Sequence, residues 1–266
     1  MEQLIFIKLG GSVITHKDKP LTANERAIQR LGREIIEAKK KFGGKIIIGH
    51  GSGSFGHSLA SKYKTHEGIV NKESVKGAVL VEDVAVQLNR IVVRQLLGLG
   101  LPVFSFAPGS FLTSRTRKPD KVFPEAIFQA LEKGIIPLVY GDVVFDERIG
   151  FTIFSTEMVF DALIKHLLKQ YKIVRIIHAS DTNGVYGRDG KTIPIITPKN
   201  FDKVQKAVVG SKAVDVTGGM LHKVKESLGT ARRFGIESII LNGTISGELK
   251  RAIIGGEVEG TIIHST

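Results

Sequence analysis

Short apolar runs alternate with amphipathic stretches along the whole chain, glycine-rich turns follow several of those runs, and no low-complexity linker interrupts the pattern. These three observations predict an α/β protein whose central, mostly parallel sheet is covered by helices on both faces. Right-handed crossovers in such a fold bring the C-terminal ends of the strands, and the loops after them, to one edge.

The elements follow in order. Leu4–Leu9 is a strand by its apolar content, and Asn24–Lys41 is a helix with Ile28, Leu31, Ile35 and Ile36 on one stripe. Lys39, Lys40 and Lys41 close that helix, where cations complement its dipole. Ile46–Ile48 is the next strand, followed by Ser58–Tyr63, which can start a helix. Val81, Val84, Ala85, Leu88, Ile91, Val92 and Leu96 recur at helical spacing and stop at Gly98 and Gly100. Pro102–Phe106 and Ile136–Tyr140 are strands with a helical Pro124–Lys133 between them, and Pro108–Val122 reads as a basic, polar loop. Val143–Phe145 and Phe151–Phe154 flank a turn and form a hairpin. Glu157–Lys169 is a helix, Ile173–Ala179 a strand, Lys223–Phe234 a helix, Ser238–Leu241 a strand and Ser246–Ile254 a short helix, and a last strand lies near Thr261–His264. All of this reads as one domain over residues 1–266, with a functional division near residue 170.

Bulk composition narrows the function classes. The chain has 266 residues, enough for a sizeable core. With no cysteine it has no disulfide and no thiolate metal site. No apolar run reaches membrane-span length, so the expected location is the cytoplasm, with no membrane partner. The net charge of +12 fits nucleic acid, an anionic small substrate or simply a basic proteome. The basic residues are scattered over polar helix faces, and four Tyr with no Trp make no stacking platform, which argues against nucleic acid. The histidines lack metal-ligand spacing, so no protein-bound metal is expected.

The chemistry concentrates in the glycine turns. Gly49-His50-Gly51-Ser52-Gly53-Ser54-Phe55-Gly56-His57 lies between a strand and a helix, where bare N–H groups attract phosphate. His57 adds a donor that is neutral or charged near neutral pH, whereas His50 ends the strand and reads as structural. Lys8-Leu9-Gly10-Gly11-Ser12 places a lysine two residues before a second glycine turn. Lys17 sits in a polar loop and is a weak signal by itself. Asp142 follows a strand and is equally a turn residue or a carboxylate that orients lysines or binds a metal through water. Ser180-Asp181-Thr182-Asn183-Gly184-Val185-Tyr186 is an ordinary loop or a nucleotide contact. Asp215-Val216-Thr217-Gly218-Gly219-Met220 is a further glycine loop, leading into a helix that carries Lys223.

Taken in this order, these motifs resemble the amino acid kinase superfamily over essentially the whole chain. The ending Ser54-Phe55-Gly56-His57 makes the second glycine loop similar to that of the isopentenyl phosphate kinases, in which the closing histidine binds the acceptor phosphate. The resemblance implies a three-layer α/β/α sandwich, usually a homodimer, and transfer of the γ-phosphoryl of ATP to isopentenyl phosphate with Mg2+. A phosphonate, UMP or a carboxylate is the alternative acceptor. By position it implies Lys8, Lys17, His57 and Lys223 as catalytic residues. Gly10, Gly11, Ser12, Ser52, Ser180, Asp181, Gly184, Tyr186 and Gly219 would contact the nucleotide. Gly51, Gly56, Ile153 and Phe154 would join His57 around the acceptor, and Asp142 would orient the lysines. The acceptor part is expected over about residues 1–170 and the nucleotide part over about 171–266. Two departures stand out: around Ser155-Thr156-Glu157 many relatives show Ser-Gly-Asp, and relatives usually carry three consecutive glycines after the first loop histidine, where Ser52 replaces the middle one. A serine would be strained there if that position needs a positive φ.

Overall fold

The computed structural model describes residues 1–209 and 219–266. The first strand is β1 (Glu2–Leu9), followed by the short α1 (Gly11–Ile14), the long α2 (Glu25–Phe42) and β2 (Lys45–His50). After these come α3 (His57–Tyr63), α4 (Ser74–Gly98), β3 (Val103–Ser105), α5 (Pro108–Phe111), β4 (Leu112–Arg115), β5 (Lys118–Val122), α6 (Glu125–Glu132) and β6 (Ile136–Tyr140). The hairpin β7 (Asp142–Asp146) and β8 (Gly150–Phe154) leads to α7 (Thr156–Leu167) and β9 (Tyr171–Ser180). The remainder is β10 (Val185–Tyr186), β11 (Thr192–Ile193), β12 (Ile195–Ile196), α8 (Phe201–Val209), α9 (Gly219–Phe234), β13 (Glu237–Asn242), α10 (Glu248–Ile254) and β14 (Gly260–Ile263).

The main sheet has the order β12-β14-β13-β9-β1-β2-β6-β3. Its strands from β13 through β3 run parallel, and β14 turns back antiparallel to β13. Strands from residues 1–170 fill one half of this sheet and strands from residues 171–266 the other, meeting where β1 pairs with β9.

The period-two alternation of β1 builds both faces at once. Ile5, Ile7 and Leu9 point to a core with α2, α4 and α10, through Ile28, Leu31, Leu88, Val92 and Leu249. Leu4 and Phe6 point the other way, to a core with α6 and α7 through Ile127, Val159, Phe160 and Leu163. This is the three-layer sandwich. Helix α2 starts where the Asn24 side chain accepts a hydrogen bond from Ala27 N, and it ends at Gly43, left-handed at φ 71°. Lys39, Lys40 and Lys41 occupy its last turn, as the charge pattern predicts.

One stretch departs from the sequence expectation. Pro108–Val122 is not a loop: it forms α5 and the β4–β5 hairpin, part of a second sheet ordered β5-β4-β7-β8. The reason lies some thirty residues further on. The Asp146 carboxylate accepts hydrogen bonds from Ser114 Oγ and from the N–H groups of Thr116 and Arg117, and also from Arg148 and Ile149. Burial would raise its pKa, but this set of donors holds it well below the usual carboxylate range. Among the described residues no helix is long and apolar enough to cross a membrane.

Candidate active site

The C-terminal ends of β1, β2, β6, β9 and β13 lie side by side, and the predicted glycine turns follow them there. The turns after β1 and β2 touch backbone to backbone. A Cβ on Gly11 would lie 2.3 Å from Gly53 N, and one on Gly10 would lie 2.5 Å from Ala179 O, so neither position admits a side chain. Gly51 packs beside the Lys8 stem, its notional Cβ 3.8 Å from Lys8 Cε. The left-handed residue of this loop is Gly53, at φ 50°, and not Ser52, which is absent from the non-glycine residues of positive φ. The serine therefore sits without backbone strain, and its carbonyl accepts a bond from Phe55 N at 3.0 Å.

Lys8 shares the face of Leu4 and Phe6 and so points toward α7. Helix α7 comes close because β2 carries Gly49 opposite Lys8: a Cβ there would meet Thr156 and Phe160 at 2.5–2.6 Å. At the start of that helix Glu157 accepts a hydrogen bond from Lys8 Nζ, both side chains being largely shielded from water. Burial would raise the Glu157 pKa, but the adjacent Lys8 cation, with Lys223 further off, holds it well below the usual range. Lys17 donates to Asp181 Oδ2 at 2.6 Å, and Ser12 Oγ donates to Asp181 Oδ1 at 2.8 Å. Burial opposes ionisation of Asp181, and these two bonds outweigh it to lower the pKa. Lys223 Nζ donates to Ser180 Oγ at 3.0 Å. Three lysines from separate segments are thus each held against a group at this one edge. His178, beside Lys8 in the sheet, is pushed down to about 3 by burial and the two nearby lysines, so it stays neutral and adds no further cation.

His57 opens α3 on the exposed rim, after Gly56. Gly184 is left-handed at φ 94°, and its notional Cβ would lie 2.4 Å from Thr261 Oγ1, which ties the β9 turn to β14. Tyr186 Oη accepts a bond from Asn183 N at 3.1 Å. Gly219 begins α9, while Asp215, Val216, Thr217 and Gly218 lie outside the described residues.

Two predicted site residues are placed elsewhere than expected. Asp142 accepts a bond from Val143 N at 2.7 Å beside Tyr140 and Glu82, and burial pushes its pKa up to about 7. The carboxylates that orient lysines are Glu157 and Asp181 instead, because α7 and the β9 turn, not the β6–β7 junction, face the lysine side chains. Phe154 is buried in the core with Phe111 and Val144, while Ile153, on the other side of β8, is partly exposed. Glu157 pairs with Lys8 although no local motif marks it. Its signal was a charge at i−3 and i−7 from Phe160 and Ile164, on the apolar stripe of a helix.

Among the described residues no group of three or more His, Cys, Asp or Glu side chains could hold a metal ion. The arrangement is instead suited to anions: lysine ammonium groups and backbone amides beside the glycine turns of one sheet edge.

The chain is 35% identical to the isopentenyl phosphate kinase of Methanothermobacter thermautotrophicus over 98% of each chain. It is 31% identical to that of Methanocaldococcus jannaschii, again over 98% of each. A crystal structure of an isopentenyl phosphate kinase superposes with a TM-score of 0.81 at 32% identity, covering 98% of this chain and 100% of the other. The model of the amino acid kinase family matches residues 3–242, and the chain belongs to that family.

Proposed function

We propose that this protein transfers the γ-phosphoryl group of ATP to isopentenyl phosphate, giving isopentenyl diphosphate and ADP. The observation that carries the reading is the gathering of Lys8, Lys17 and Lys223 around two touching glycine turns, in a chain similar along its length to isopentenyl phosphate kinases. An acceptor phosphate is already a nucleophile and needs no general base. The obstacle is repulsion between two anions, which cations and amide donors held in place overcome by neutralising and aligning them.

In this reading the half of the sheet built from residues 171–266 carries the nucleotide, with Ser180, Asp181, Gly184, Tyr186 and Gly219 along it and Gly10, Gly11, Ser12 and Ser52 across the cleft. Lys8, Lys17 and Lys223 hold the nucleotide phosphates and the moving phosphoryl. Glu157 and Asp181 hold Lys8 and Lys17 extended until the phosphates arrive. Gly51, Gly56 and His57 hold the acceptor phosphate, and Ile153 borders its hydrocarbon tail. Mg2+ would be held chiefly by the nucleotide phosphates and water, since Asp181 is already engaged by Lys17 and Ser12. When bound it neutralises phosphate charge. We place a homodimer in the same proposal, supported by edge strand β3, which leaves Phe104 exposed beside Phe106; light scattering on the full chain tests it.

The test of the reaction is transfer from labelled ATP across a panel of isopentenyl phosphate, a phosphonate, UMP and N-acetylglutamate, with and without EDTA. Transfer to isopentenyl phosphate alone, lost with EDTA, is the expected result. His57→Ala should abolish that turnover while ATP binding survives. Equal loss of both, or transfer to another acceptor only, overturns the assignment.

A further inference from the structure

His50 is 1% exposed, and it is not one of the groups that the reaction above uses. It ends β2 immediately before the acceptor loop, and its carbonyl and both ring nitrogens are engaged. Its carbonyl accepts hydrogen bonds from Thr156 Oγ1 at 2.6 Å and from Gly141 N at 3.2 Å. Its ring stacks on Tyr140 with 5.4 Å between centroids and 6° between planes. Ring Nδ1 lies 3.1 Å from Gly51 O, and ring Nε2 lies 3.2 Å from Asn89 Nδ2 on α4. Asn89, also 1% exposed, has its Oδ1 at 2.6 Å from Ser105 Oγ on β3.

The donor and acceptor inventory allows one consistent assignment. A carbonyl only accepts, so Nδ1 must carry the hydrogen that it gives to Gly51 O. An amide NH2 only donates, so Nε2 must be the bare nitrogen that receives from Asn89. Asn89 Oδ1 then accepts from the Ser105 hydroxyl. Hydrogen bonds run in a single direction from β3 through α4 to the loop. A proton on Nε2 would face the Asn89 NH2 group, so the charged imidazolium is disfavoured by the same contact. Burial, with Lys8 nearby, agrees: it pushes the His50 pKa down to about 4.

Pinning the Gly51 carbonyl fixes the plane of its peptide. In a trans peptide the N–H points opposite the C=O, so Ser52 N–H is turned away from the His50 ring. Among the described residues neither Ser52 N–H nor Gly53 N–H donates to a protein acceptor, whereas Ser54 N–H does, to Thr15 Oγ1 at 3.0 Å. Left-handed Gly53 follows Ser52 of ordinary φ, an alternation that turns successive N–H groups to one side.

We propose that His50 is a positioning residue, locked as its Nδ1–H tautomer by Asn89 and Ser105, that pins the Gly51 carbonyl and so aims the Ser52 and Gly53 amides at the acceptor phosphate. The proposal deepens the acceptor assignment above and rests on it for the identity of the anion. It explains why a buried histidine sits on an otherwise apolar strand end, and why α4 carries a fully buried asparagine.

Two measurements test it on the full chain. Long-range nitrogen–proton correlation spectra at pH 7 should show His50 neutral with the hydrogen on Nδ1, and a hydrogen on Nε2 overturns the relay. In steady-state kinetics, Asn89→Leu removes the donor to Nε2 at similar volume. The KM for isopentenyl phosphate should rise about tenfold, the upper value of one neutral hydrogen bond, with the KM for ATP and kcat within about twofold of wild type. Ser105→Ala, further from the loop, should raise the same KM about threefold and serves if Asn89→Leu does not fold. His50→Asn, whose amide nitrogen can replace Nδ1, should keep more acceptor affinity than His50→Gln, whose amide reaches the Nε2 position. Equal changes in both KM values, or a fall in kcat alone, overturns the proposal in favour of a merely structural role. If the wild type does not phosphorylate isopentenyl phosphate, that sinks the reaction and not the relay. Calorimetric titration of inorganic phosphate into the same variants then decides it: the same order of weakening supports the relay, and unchanged affinity refutes it.

Discussion

Removing the charge of Glu157 tests whether Lys8 is held by a buried ion pair. The two side chains are 12% and 5% exposed, so the relevant comparison is with buried pairs and not with surface ones, which contribute at most about 1 kcal/mol. Charges about 4 Å apart gain about 4 kcal/mol at an effective dielectric constant near 20. Breaking a buried pair from one side costs about 3–5 kcal/mol, because the remaining charge keeps its desolvation penalty. Glu157→Gln should therefore destabilise the protein by about 3 kcal/mol, lowering Tm by about 6–12 °C in calorimetry. Lys8→Met should cost a similar amount at pH 7, and the double variant Lys8→Met/Glu157→Leu should recover most of the loss while remaining inactive.

The pH dependence separates the variants further. In the wild type the folded pKa of Glu157 is depressed below its unfolded value of 4.5, so the stabilisation is present above pH 4.5 and lost as pH falls through the folded pKa. In Lys8→Met burial dominates, the folded pKa rises above 4.5, and stability falls as pH rises past that value. The Tm gap between wild type and Lys8→Met should accordingly widen from pH 4.5 to pH 7. Single variants that each cost under about 1 kcal/mol, with an additive double and a pH-independent gap, would refute the reasoning.

Other substitutions probe neighbouring points. Gly53→Ala places a Cβ 2.2 Å from Thr15 Oγ1 and 2.6 Å from Gly11 O on a left-handed backbone, so it should destabilise by about 2 kcal/mol or more and weaken acceptor binding; wild-type Tm in Gly53→Ala would contradict the loop geometry. Ser52→Gly, in contrast, should lose about 0.5–1 kcal/mol through unfolded-chain entropy, since Ser52 carries no positive φ to relieve; a gain in Tm would show that the serine is strained after all. Asp142 has a folded pKa raised to about 7, chiefly by burial, so its contribution is fully present below pH 3.8 and declines as pH rises through 7. Asp142→Asn should thus gain Tm relative to wild type at pH 8 and much less at pH 4.5, and an equal difference at both values counts against a buried, near-neutral carboxyl.

Much of this molecule was legible from local pattern. The alternation of apolar runs with amphipathic stretches located the strands and helices of the main sheet. Asn24 and the lysines at 39–41 marked the ends of α2, and the glycine turns marked the C-terminal edge of the sheet, because each of those signals acts within a few residues along the chain. The sequence alone also placed Lys8 in a strand next to a glycine turn. It did not say which carboxylate meets it. Lys8 and Glu157 are 149 residues apart, and Lys17 and Asp181 are 164 apart. Those pairings follow from strand order and from the approach of α7 over Gly49. Pro108–Val122 looked like a polar loop because its order comes from Asp146, far down the chain. His50 looked structural, and only the folded arrangement of α4, β3 and the loop shows where its hydrogen bonds lead. Local propensity and the dipole act over one turn, so sequence determines them; the pairing of buried polar groups depends on which segments the sheet register brings within about 3 Å, so only the tertiary structure decides it.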